Sequence, residues 1–265
     1  MILAHAKINL ALVVGERRAD GLHELAGVVQ RIDLADELEL SPADELQVEG
    51  FEDTLVRDAL HRLAAAAGTV PRWRVRIDKR IPVAAGLGGG SADAGAVLQA
   101  ANAELAQPLS PERLVALAAQ VGSDVPFFCG DGPQLVEGAG ERLTPLELRR
   151  DYALVVALPN GAEKPSTGEV FRRFDELDGP TGFAERRAAL TAALAAGDLA
   201  ALPPNDLGRA APPALLPELR EAGAFRADLS GAGPAVYGLF ADLAVAELAA
   251  AALGHLAQVW VARPV

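Results

Sequence analysis

A glycine-rich stretch in this chain has the residue types that bind phosphate. Glycines stand at positions 86, 88, 89 and 90, between small apolar neighbours. Glycine tolerates positive φ and lets a ligand approach the backbone, and the free N–H groups of a helix N-terminus attract anions. A glycine run alone could also be a tight or flexible turn. The stretch Ile81-Pro82-Val83-Ala84-Ala85-Gly86-Leu87-Gly88-Gly89-Gly90-Ser91-Ala92-Asp93-Ala94 therefore predicts a cradle of backbone amides.

The segments on either side predict a strand before this loop and a helix after it. Trp73, Val75 and Ile77 alternate with polar residues, which is typical of a strand with one buried face. Ser91 is the predicted helix cap, with Asp93 in the first turn. No Gly-Lys-Ser/Thr follows the glycines, and Ser91 stands where the dinucleotide fingerprint needs its third glycine. A Walker loop and a Rossmann fingerprint are therefore excluded, and another nucleotide-binding architecture is expected.

Three further segments hold residues that could do chemistry. Alternation over residues 6–10 puts Lys7 and Asn9 on one strand face, where spacing alone favours a solvated face. Asp124 precedes a proline and two aromatic residues, a position that suits a turn cap as well as a catalytic acid. Residues 230–234, Ser-Gly-Ala-Gly-Pro, form a second small-residue loop, which on its own is more often a tight turn than a site.

The remaining pattern mixes strands with helices, which predicts an α+β fold. A new apolar run begins after residue 150, so we expect two domains, 1–150 and 151–265. The predicted strands cover residues 2–14, several short runs up to 48, a hairpin at 130–140, and 153–158, 225–230, 236–240 and 259–262. The predicted helices run from about Asp53 to Gly68, onward from Ser110-Pro111, and over 184–196, 215–222 and 241–253.

Composition narrows the possible classes. The 265 residues are 51% hydrophobic, which is enough for a sizeable core. The formal charge of −12 argues against nucleic acid as a partner. With one cysteine, Cys129, no intramolecular disulfide is expected, and the apolar C-terminal stretch is broken by polar residues, so no membrane partner is predicted. The four histidines lack metal-ligand spacing, so we expect no structural metal. Because the N-terminus has the pattern of a strand and the apolar C-terminal stretch is broken, we expect a cytoplasmic location.

Taken in order, the motifs resemble those of the GHMP kinase superfamily of small-molecule kinases. The resemblance spans most of the chain. Its supporting strings are AKINLALVV at 6–14, ADGLHEL at 19–25, IPVAAGLGGGSADAG at 81–95, GSDVPFF at 122–128, PNDL at 204–207 and SGAGP at 230–234. The combination of the first, second and fourth strings is specific, whereas the glycine loop or SGAGP alone is not.

The resemblance implies a two-domain α+β GHMP kinase fold. Its N-terminal ATP-binding domain, over 1–150, would be ribosomal-protein-S5-like, and its C-terminal GHMP kinase domain, over 151–265, ferredoxin-like, with the site in the cleft between them. The strings are most similar to members whose small-molecule substrate carries cytidine diphosphate. The implied activity is ATP-dependent phosphorylation, with Mg²⁺ on the nucleotide, of the 2-hydroxyl of a cytidine-diphospho methylerythritol in the non-mevalonate route to isoprenoid precursors. A monomer or a homodimer fits equally.

The resemblance also implies residue roles. The loop from Pro82 to Ala92 would wrap the ATP phosphates, Asp124 would accept or orient the hydroxyl proton, and Lys7 would lie beside it. The substrate-binding residues would be Asn9, His23 and Phe171, the last stacking on cytosine. This assignment agrees with the chemistry, because phosphoryl transfer needs positioning and charge neutralisation, and a lysine beside a carboxylate keeps it ionised.

The chain departs from the family pattern at three positions. His5 replaces a usual proline, Gly208 a usual glutamate, and Leu22 an aromatic residue that normally precedes His23. The last departure removes a stacking partner for cytosine, and we expect Phe171 to stack alone, with Leu22 packed edgewise. Other GHMP activities, on homoserine, a mevalonate-type alcohol or a sugar, stay open. A catalytically silent nucleotide-binding module is the other alternative, against which the presence of both Lys7 and Asp124 argues.

Overall fold

The computed structural model describes residues 1–52, 54–163 and 165–265. The predicted start of the first helix, about Asp53, lies outside the described residues. The strands are β1 (Ile2–Arg17), β2 (His23–Pro42), β3 (Gln47–Glu49), β4 (Trp73–Asp78), β5 (Gln134–Gly138), β6 (Arg142–Pro145), β7 (Ala153–Pro159), β8 (Arg226–Leu229), β9 (Val236–Phe240) and β10 (Ala257–Ala262). The helices are α1 (Thr54–Ala66), α2 (Gly89–Glu104), α3 (Pro111–Val121), α4 (Val125–Phe128), α5 (Thr167–Glu176), α6 (Phe183–Ala196), α7 (Leu216–Glu221) and α8 (Leu243–Leu253), with a 3₁₀ turn over Asp206–Arg209.

The chain divides into two compact units, each discontinuous in sequence. Unit 1 consists of Met1–Ala6, Leu34–Val83 and Gly88–Asp131. Unit 2 consists of Lys7–Asp33, Ala84–Leu87 and Gly132–Val265. Both contain strands and helices, so the α+β class is confirmed. The boundary near residue 150 divides the sequence into two continuous stretches, and it stays a prediction.

Unit 1 combines a short sheet with four helices. The second part of β2 pairs antiparallel with β4, and β3 pairs parallel with β4. Strand β4 alternates strictly between buried and exposed residues, as its sequence predicts. Helix α2 packs on α1, α3 and α4, and a Cβ on Gly95 would lie 2.5 Å from the Cβ of Phe128. This close approach explains why glycine stands in the middle of α2.

Unit 2 holds a four-stranded antiparallel sheet in the order β10-β7-β9-β8. Helices α7 and α8 pack against it, and their apolar faces build a core with β7 and β9. Strand β1 pairs with β2, the first part of β2 pairs with β5, and β5 pairs with β6. Strand β7 lies between two strands and packs against α8, and its residues from Ala153 to Ala157 are all buried, so both of its faces are covered. The unbroken apolar run of β7 follows from this position.

Two features of unit 2 differ from the sequence predictions. The solvated face predicted for β1 is wrong, because the strand is buried on both faces from Ala6 to Val14. Helix α5 and the 3₁₀ turn were not predicted. Ser166 caps α5 by accepting a hydrogen bond from the Glu169 N–H, which is the Ser-x-x-Glu signal that would have located it.

Candidate active site

The predicted phosphate loop connects β4 to α2 and has an unusual backbone. Ala84, Gly86 and Gly88 take left-handed conformations, with φ of 58°, 86° and 72°. Left-handed residues at alternate positions are typical of nests, in which successive N–H groups converge on an anion. Alanine is strained in this region by about 1–3 kcal/mol, and such strain is concentrated at functional sites. The loop geometry therefore fits a phosphate ligand.

Helix α2 starts earlier than the sequence predicts. It begins at Gly89 with Gly88 as its N-cap, and no side chain caps it. The expectation that Ser91 caps the helix, with Asp93 in the first turn, is wrong. Because Gly88 itself takes the left-handed conformation, the chain enters the helix without a side-chain oxygen. Its first N–H groups thus suit an anionic ligand.

The part of the loop that belongs to unit 2, Ala84–Leu87, is held by its carbonyl groups. The backbone N–H of Lys7 donates to the Leu87 carbonyl at 2.9 Å, and that of Ala235 donates to the Ala85 carbonyl at 3.0 Å. The Ser230 hydroxyl donates to the Gly86 carbonyl, also at 3.0 Å. These bonds bring strand β1 and the SGAGP loop against the phosphate loop. The three sequence motifs meet here.

Lys7 and Asn9 form the polar centre of this part of unit 2. Both are buried, 5% and 6% exposed, and the Lys7 Nζ donates to the Asn9 Oδ1 at 2.5 Å. A Cβ on Gly231 would lie 3.3 Å from the Lys7 Nζ and 3.2 Å from the Gly86 carbonyl oxygen. The buried lysine, its amide partner and the two glycine loops are therefore neighbours. A buried ammonium beside small-residue loops suits the charge of a phosphate.

His23 and Phe171 form a second cluster in unit 2. Their rings stack with centroids 4.8 Å apart and an interplanar angle of 27°. The His23 Nε2 lies 2.8 Å from the Asp175 Oδ1, and because an ionised carboxylate only accepts, this nitrogen carries the hydrogen. The structure thus brings together two of the predicted substrate-binding residues. Leu22, which precedes His23 in sequence, is 54% exposed.

Asp124 lies in unit 1 at the N-cap position of α4. It is exposed, and its side chain does not accept a capping hydrogen bond. The backbone N–H of Val125 instead donates to the Gly122 carbonyl at 3.1 Å. Asp124 thus stands in a turn at the N-cap position, but without a side-chain capping bond to α4. Its pairing with Lys7 stays a prediction from the family pattern.

Sequence reasoning missed an ionic cluster in unit 1. The Lys79 Nζ donates to the Asp36 Oδ2 at 2.7 Å and to the Asp93 Oδ2 at 2.6 Å. The Asp36 Oδ1 also accepts the backbone N–H groups of Arg80 and Ile81. One signal was available, since Asp93 is a charged residue in a helix start that is otherwise small and apolar.

The cluster perturbs its own ionisable groups. Burial raises the pKa of Asp93 to about 8, and Lys79 opposes this increase only in part. Burial lowers the pKa of Lys79, but the two carboxyls outweigh it and leave this pKa above its ordinary value. Burial therefore favours the protonated form of Asp93, whereas the two carboxyls favour the charged form of Lys79.

Asn205, in the PNDL string at 204–207, is a second residue that the sequence analysis did not predict as part of a site. The Asn205 Nδ2 donates to the carbonyls of Leu229 and Gly231, at 3.0 and 2.7 Å. Its Oδ1 accepts the Leu207 N–H and so caps the 3₁₀ turn. Asn205 thus fixes the SGAGP loop that borders Lys7.

Within residues 1–52, 54–163 and 165–265, no helix is long and apolar enough to cross a membrane. In the same ranges, no group of three or more His, Cys, Asp or Glu side chains is arranged to hold a metal ion.

Comparison with known proteins decides the family. The profile described as GHMP kinases N terminal domain matches residues 54–132, and that described as GHMP kinases C terminal matches residues 212–257. A protein of Symbiobacterium thermophilum named 4-diphosphocytidyl-2-C-methyl-D-erythritol kinase is 42% identical over 263 residues, covering 91% of this chain and 90% of that protein. The chain belongs to the GHMP kinase family. The resemblance inferred from the motifs is confirmed.

Solved structures agree with this assignment. The crystal structure of a 4-(cytidine 5'-diphospho)-2C-methyl-D-erythritol kinase is similar to this GHMP kinase with a TM-score of 0.83 and 36% identity, covering 99% of this chain and 98% of the other. The mevalonate kinase of Methanococcus jannaschii, at 14% identity and a TM-score of 0.76, covering 100% and 98%, shares the fold. The two-domain α+β GHMP kinase fold is confirmed, and family membership implies the use of ATP.

Proposed function

We propose that this GHMP kinase transfers phosphate from ATP to the 2-hydroxyl of 4-diphosphocytidyl-2-C-methyl-D-erythritol, a step in the non-mevalonate route to isoprenoid precursors. The observation that carries the proposal is the 36–42% identity, over nearly the whole chain, with proteins named for this activity. The sequence identity with the mevalonate kinase of Methanococcus jannaschii is lower, at 14%. The proposed compartment is the cytoplasm, and the proposed assembly is a monomer or a homodimer.

The nucleotide's phosphates would be held by the loop from Pro82 to Ala92. Its left-handed residues and the uncapped start of α2 supply backbone N–H groups, which suit a protein with a net charge of −12. Mg²⁺ would arrive with the nucleotide and neutralise phosphate charge. The protein's own contribution is positioning, which is the larger part of catalysis in phosphoryl transfer.

Lys7 and Asp124 are the proposed catalytic residues. Lys7 is fixed by the Asn9 amide and lies beside Gly231, so its ammonium has little freedom of position. A positioned ammonium stabilises charge that develops on a phosphoryl or alkoxide oxygen. Asp124 would accept or orient the hydroxyl proton, and its exposed carboxylate does not cap α4. What supports their joint action is the family pattern of the two motifs.

Asn9, His23 and Phe171 are the proposed substrate-binding residues. Phe171 already lies flat on the His23 imidazole, so a nucleobase could extend or replace this stack. Asp175 holds the His23 Nε2 hydrogen, which leaves the other ring nitrogen to contact a base. The arrangement favours a substrate with a heteroaromatic ring over homoserine, mevalonate or a sugar.

A coupled ADP-release assay over a panel of alcohols tests this function. The panel contains the cytidine-diphospho substrate, its uridine counterpart, homoserine, mevalonate and galactose. We expect rapid ADP release with the cytidine compound alone. Faster release with another alcohol would assign a different GHMP activity, and release with none would favour a silent nucleotide-binding module.

Asp124→Asn separates catalysis from binding. Removing a proton acceptor at the reacting hydroxyl lowers turnover by about 10²–10⁴-fold, while nucleotide affinity changes little. Turnover and the dissociation constant of ADP measure the two effects. Glu104→Gln, at the exposed end of α2, is the matched control for loss of one negative charge. Near-normal turnover of Asp124→Asn would remove this residue from the mechanism.

A further inference from the structure

The ionic cluster of Lys79, Asp36 and Asp93 has no role in the function proposed above, yet it lies directly beneath the start of α2. A Cβ on Gly89 would meet the Lys79 Nζ at 3.1 Å, so the ammonium is packed against the first residue of the helix. Asp93 is on α2 itself, and Asp36 is on β2, with the backbone N–H groups of residues 80 and 81 on its other oxygen. One ammonium therefore ties strand, loop entry and helix together.

The cluster has one more acid than base. The side chains of Asp36 and Asp93 are 0% exposed, and that of Lys79 is 11% exposed. With both carboxyls ionised, the cluster would carry a net negative charge beneath the amides that face the phosphates. With one proton bound, it is neutral. A negative charge at this place would repel a polyanion through the helix start.

The environment of Asp93 favours the protonated form. Its Oδ1 is buried and has no hydrogen-bond partner among the residues that the structure describes. An unpartnered oxygen costs less on a neutral carboxyl than on a carboxylate. Burial, opposed in part by Lys79, raises the pKa of Asp93 to about 8.

Among residues 1–52, 54–163 and 165–265, the charged groups that act on the Asp93 carboxyl are Lys79 and Asp36. The elements packed on α2 turn apolar residues inward, since the buried side chains of α1, α3 and α4 are all apolar. The centroid of the Phe51 ring lies 5.5 Å from the Lys79 Nζ. A proton on Asp93 is therefore the means by which this cluster becomes neutral near neutral pH.

We propose that Lys79 is a positioning residue for nucleotide binding, that it holds the start of α2 through Asp36 and Asp93, and that the cluster supports the phosphates as a neutral unit with Asp93 protonated. The proposal rests on the proposed function in that the ligand is a nucleoside triphosphate. Lys79 acts through the helix start and does not itself touch the ligand. Nucleotide binding is then linked to the proton on Asp93. As the pH rises and Asp93 ionises, the affinity for the nucleotide falls.

Titration calorimetry with ADP between pH 7.5 and 9.5 tests the linkage, because phosphate groups are fully ionised throughout this range. We expect the wild-type dissociation constant to rise about tenfold across it. Asp93→Asn imitates the protonated carboxyl, so its dissociation constant should match the wild type at pH 7.5 and stay constant up to pH 9.5. Asp78→Asn, an exposed acid of the same unit, should follow the wild-type curve.

Lys79→Met adds a second readout. We expect weaker ADP binding by about tenfold at pH 7.5, with the KM of the alcohol substrate unchanged within about twofold. A purely structural role would lower the melting temperature and weaken both substrates together, and it would leave the pH curves of wild type and Asp93→Asn parallel. Parallel curves would overturn the proposal while leaving the kinase function intact. Absence of ADP binding to the wild type would overturn both.

Discussion

The start of α2 in unit 1 and the SGAGP loop in unit 2 are both built of small residues, but different chemistry holds them. The helix start rests on an ionic cluster in which the Lys79 ammonium serves two carboxyls. The SGAGP loop rests on the neutral side-chain amide of Asn205, which donates to two of its carbonyls. With Asp93 titrating as proposed, the cluster gains or loses a proton near pH 8, whereas an amide does not titrate. We therefore expect the first support to depend on pH and the second to be independent of it.

Burial alone does not explain this difference. An ion pair also lies behind Asn205, because the Asp228 Oδ2 accepts the Asn205 N–H at 3.0 Å and bonds with the Arg226 guanidinium at 2.9 Å. Burial raises the pKa of Asp228, and Arg226 opposes the increase. Here one acid faces two bases, Arg226 and Arg220, so no bound proton is needed to offset the carboxylate charge. The ratio of acids to bases, more than their depth, decides whether a buried cluster couples to pH.

Two glycines of the phosphate loop give the largest expected contrast. Gly86→Ala places a Cβ 2.3 Å from the Ser230 carbonyl oxygen, at a φ of +86°. We expect it to lower the free energy of unfolding by about 2 kcal/mol or more. Gly89→Ala, the matched control, meets the Lys79 Nζ and Ile81 at 3.1 Å in ordinary helical backbone, and its effect should stay within about 1 kcal/mol. Urea unfolding measures both, and equal losses would contradict the described loop geometry.

Removal of the Asn205 amide is expected to have the next largest effect. Asn205→Ala leaves two buried carbonyls without their donor, which should cost about 1–3 kcal/mol of unfolding free energy at every pH from 6 to 9. Asn160→Ala, which removes an exposed amide bonded to the His255 carbonyl, is the control and should cost less. A cost that changes with pH would break the contrast between the two loops.

Asp93→Asn should change how stability depends on pH. The folded-state pKa of Asp93 is raised, to about 8, so the folded protein binds a proton that the unfolded chain releases. This contribution to stability is complete below the ordinary pKa of 3.8, falls as the pH rises from there, and is lost once the pH passes about 8. Unfolding free energies from pH 5 to 9 should therefore fall more steeply for the wild type than for Asp93→Asn. Identical slopes would show that Asp93 is ionised throughout.

The smallest expected effect concerns Leu22, the exposed residue that precedes His23. It lies outside both the ionic cluster and the Asn205 contacts. Leu22→Tyr adds an aromatic face beside a proposed base-binding residue, which is worth on the order of 1 kcal/mol. The dissociation constant of the cytidine substrate should fall about fivefold. Leu177→Tyr, at another exposed leucine of unit 2, is the control. No gain would mean that the base is held in another way.

Much of the fold could be predicted because its signals are local. The alternation of β4, the Ser110 cap with Pro111 of α3, and the apolar run of β7 each appear in the structure. The start of α2 was misplaced because Ser91 suits a cap, while the left-handed Gly88 makes a cap unnecessary. The local sequence pattern was sufficient to predict those elements whose conformation depends on residues within the same segment.

The supports of the site could not be predicted, since they join residues that are distant in sequence. Alternation could not reveal that both faces of β1 are covered, so the burial of Lys7 and Asn9 was missed. Lys79 meets Asp36 across 43 residues, and Asn205 meets Gly231 across 26. Only the fold brings these partners together, whereas the glycine loop and the Lys7 and Asn9 motif were visible as strings.

Identification of the reaction product tests the central claim most directly. The purified protein is incubated with ATP, Mg²⁺ and the cytidine-diphospho methylerythritol, and the product is analysed by mass spectrometry and ³¹P nuclear magnetic resonance. The account predicts the mass of one added phosphate and a new phosphomonoester signal coupled to the 2-position, formed at least about 10²-fold more slowly with Asp124→Asn. An unmodified substrate, or a phosphate on a different hydroxyl, would contradict it.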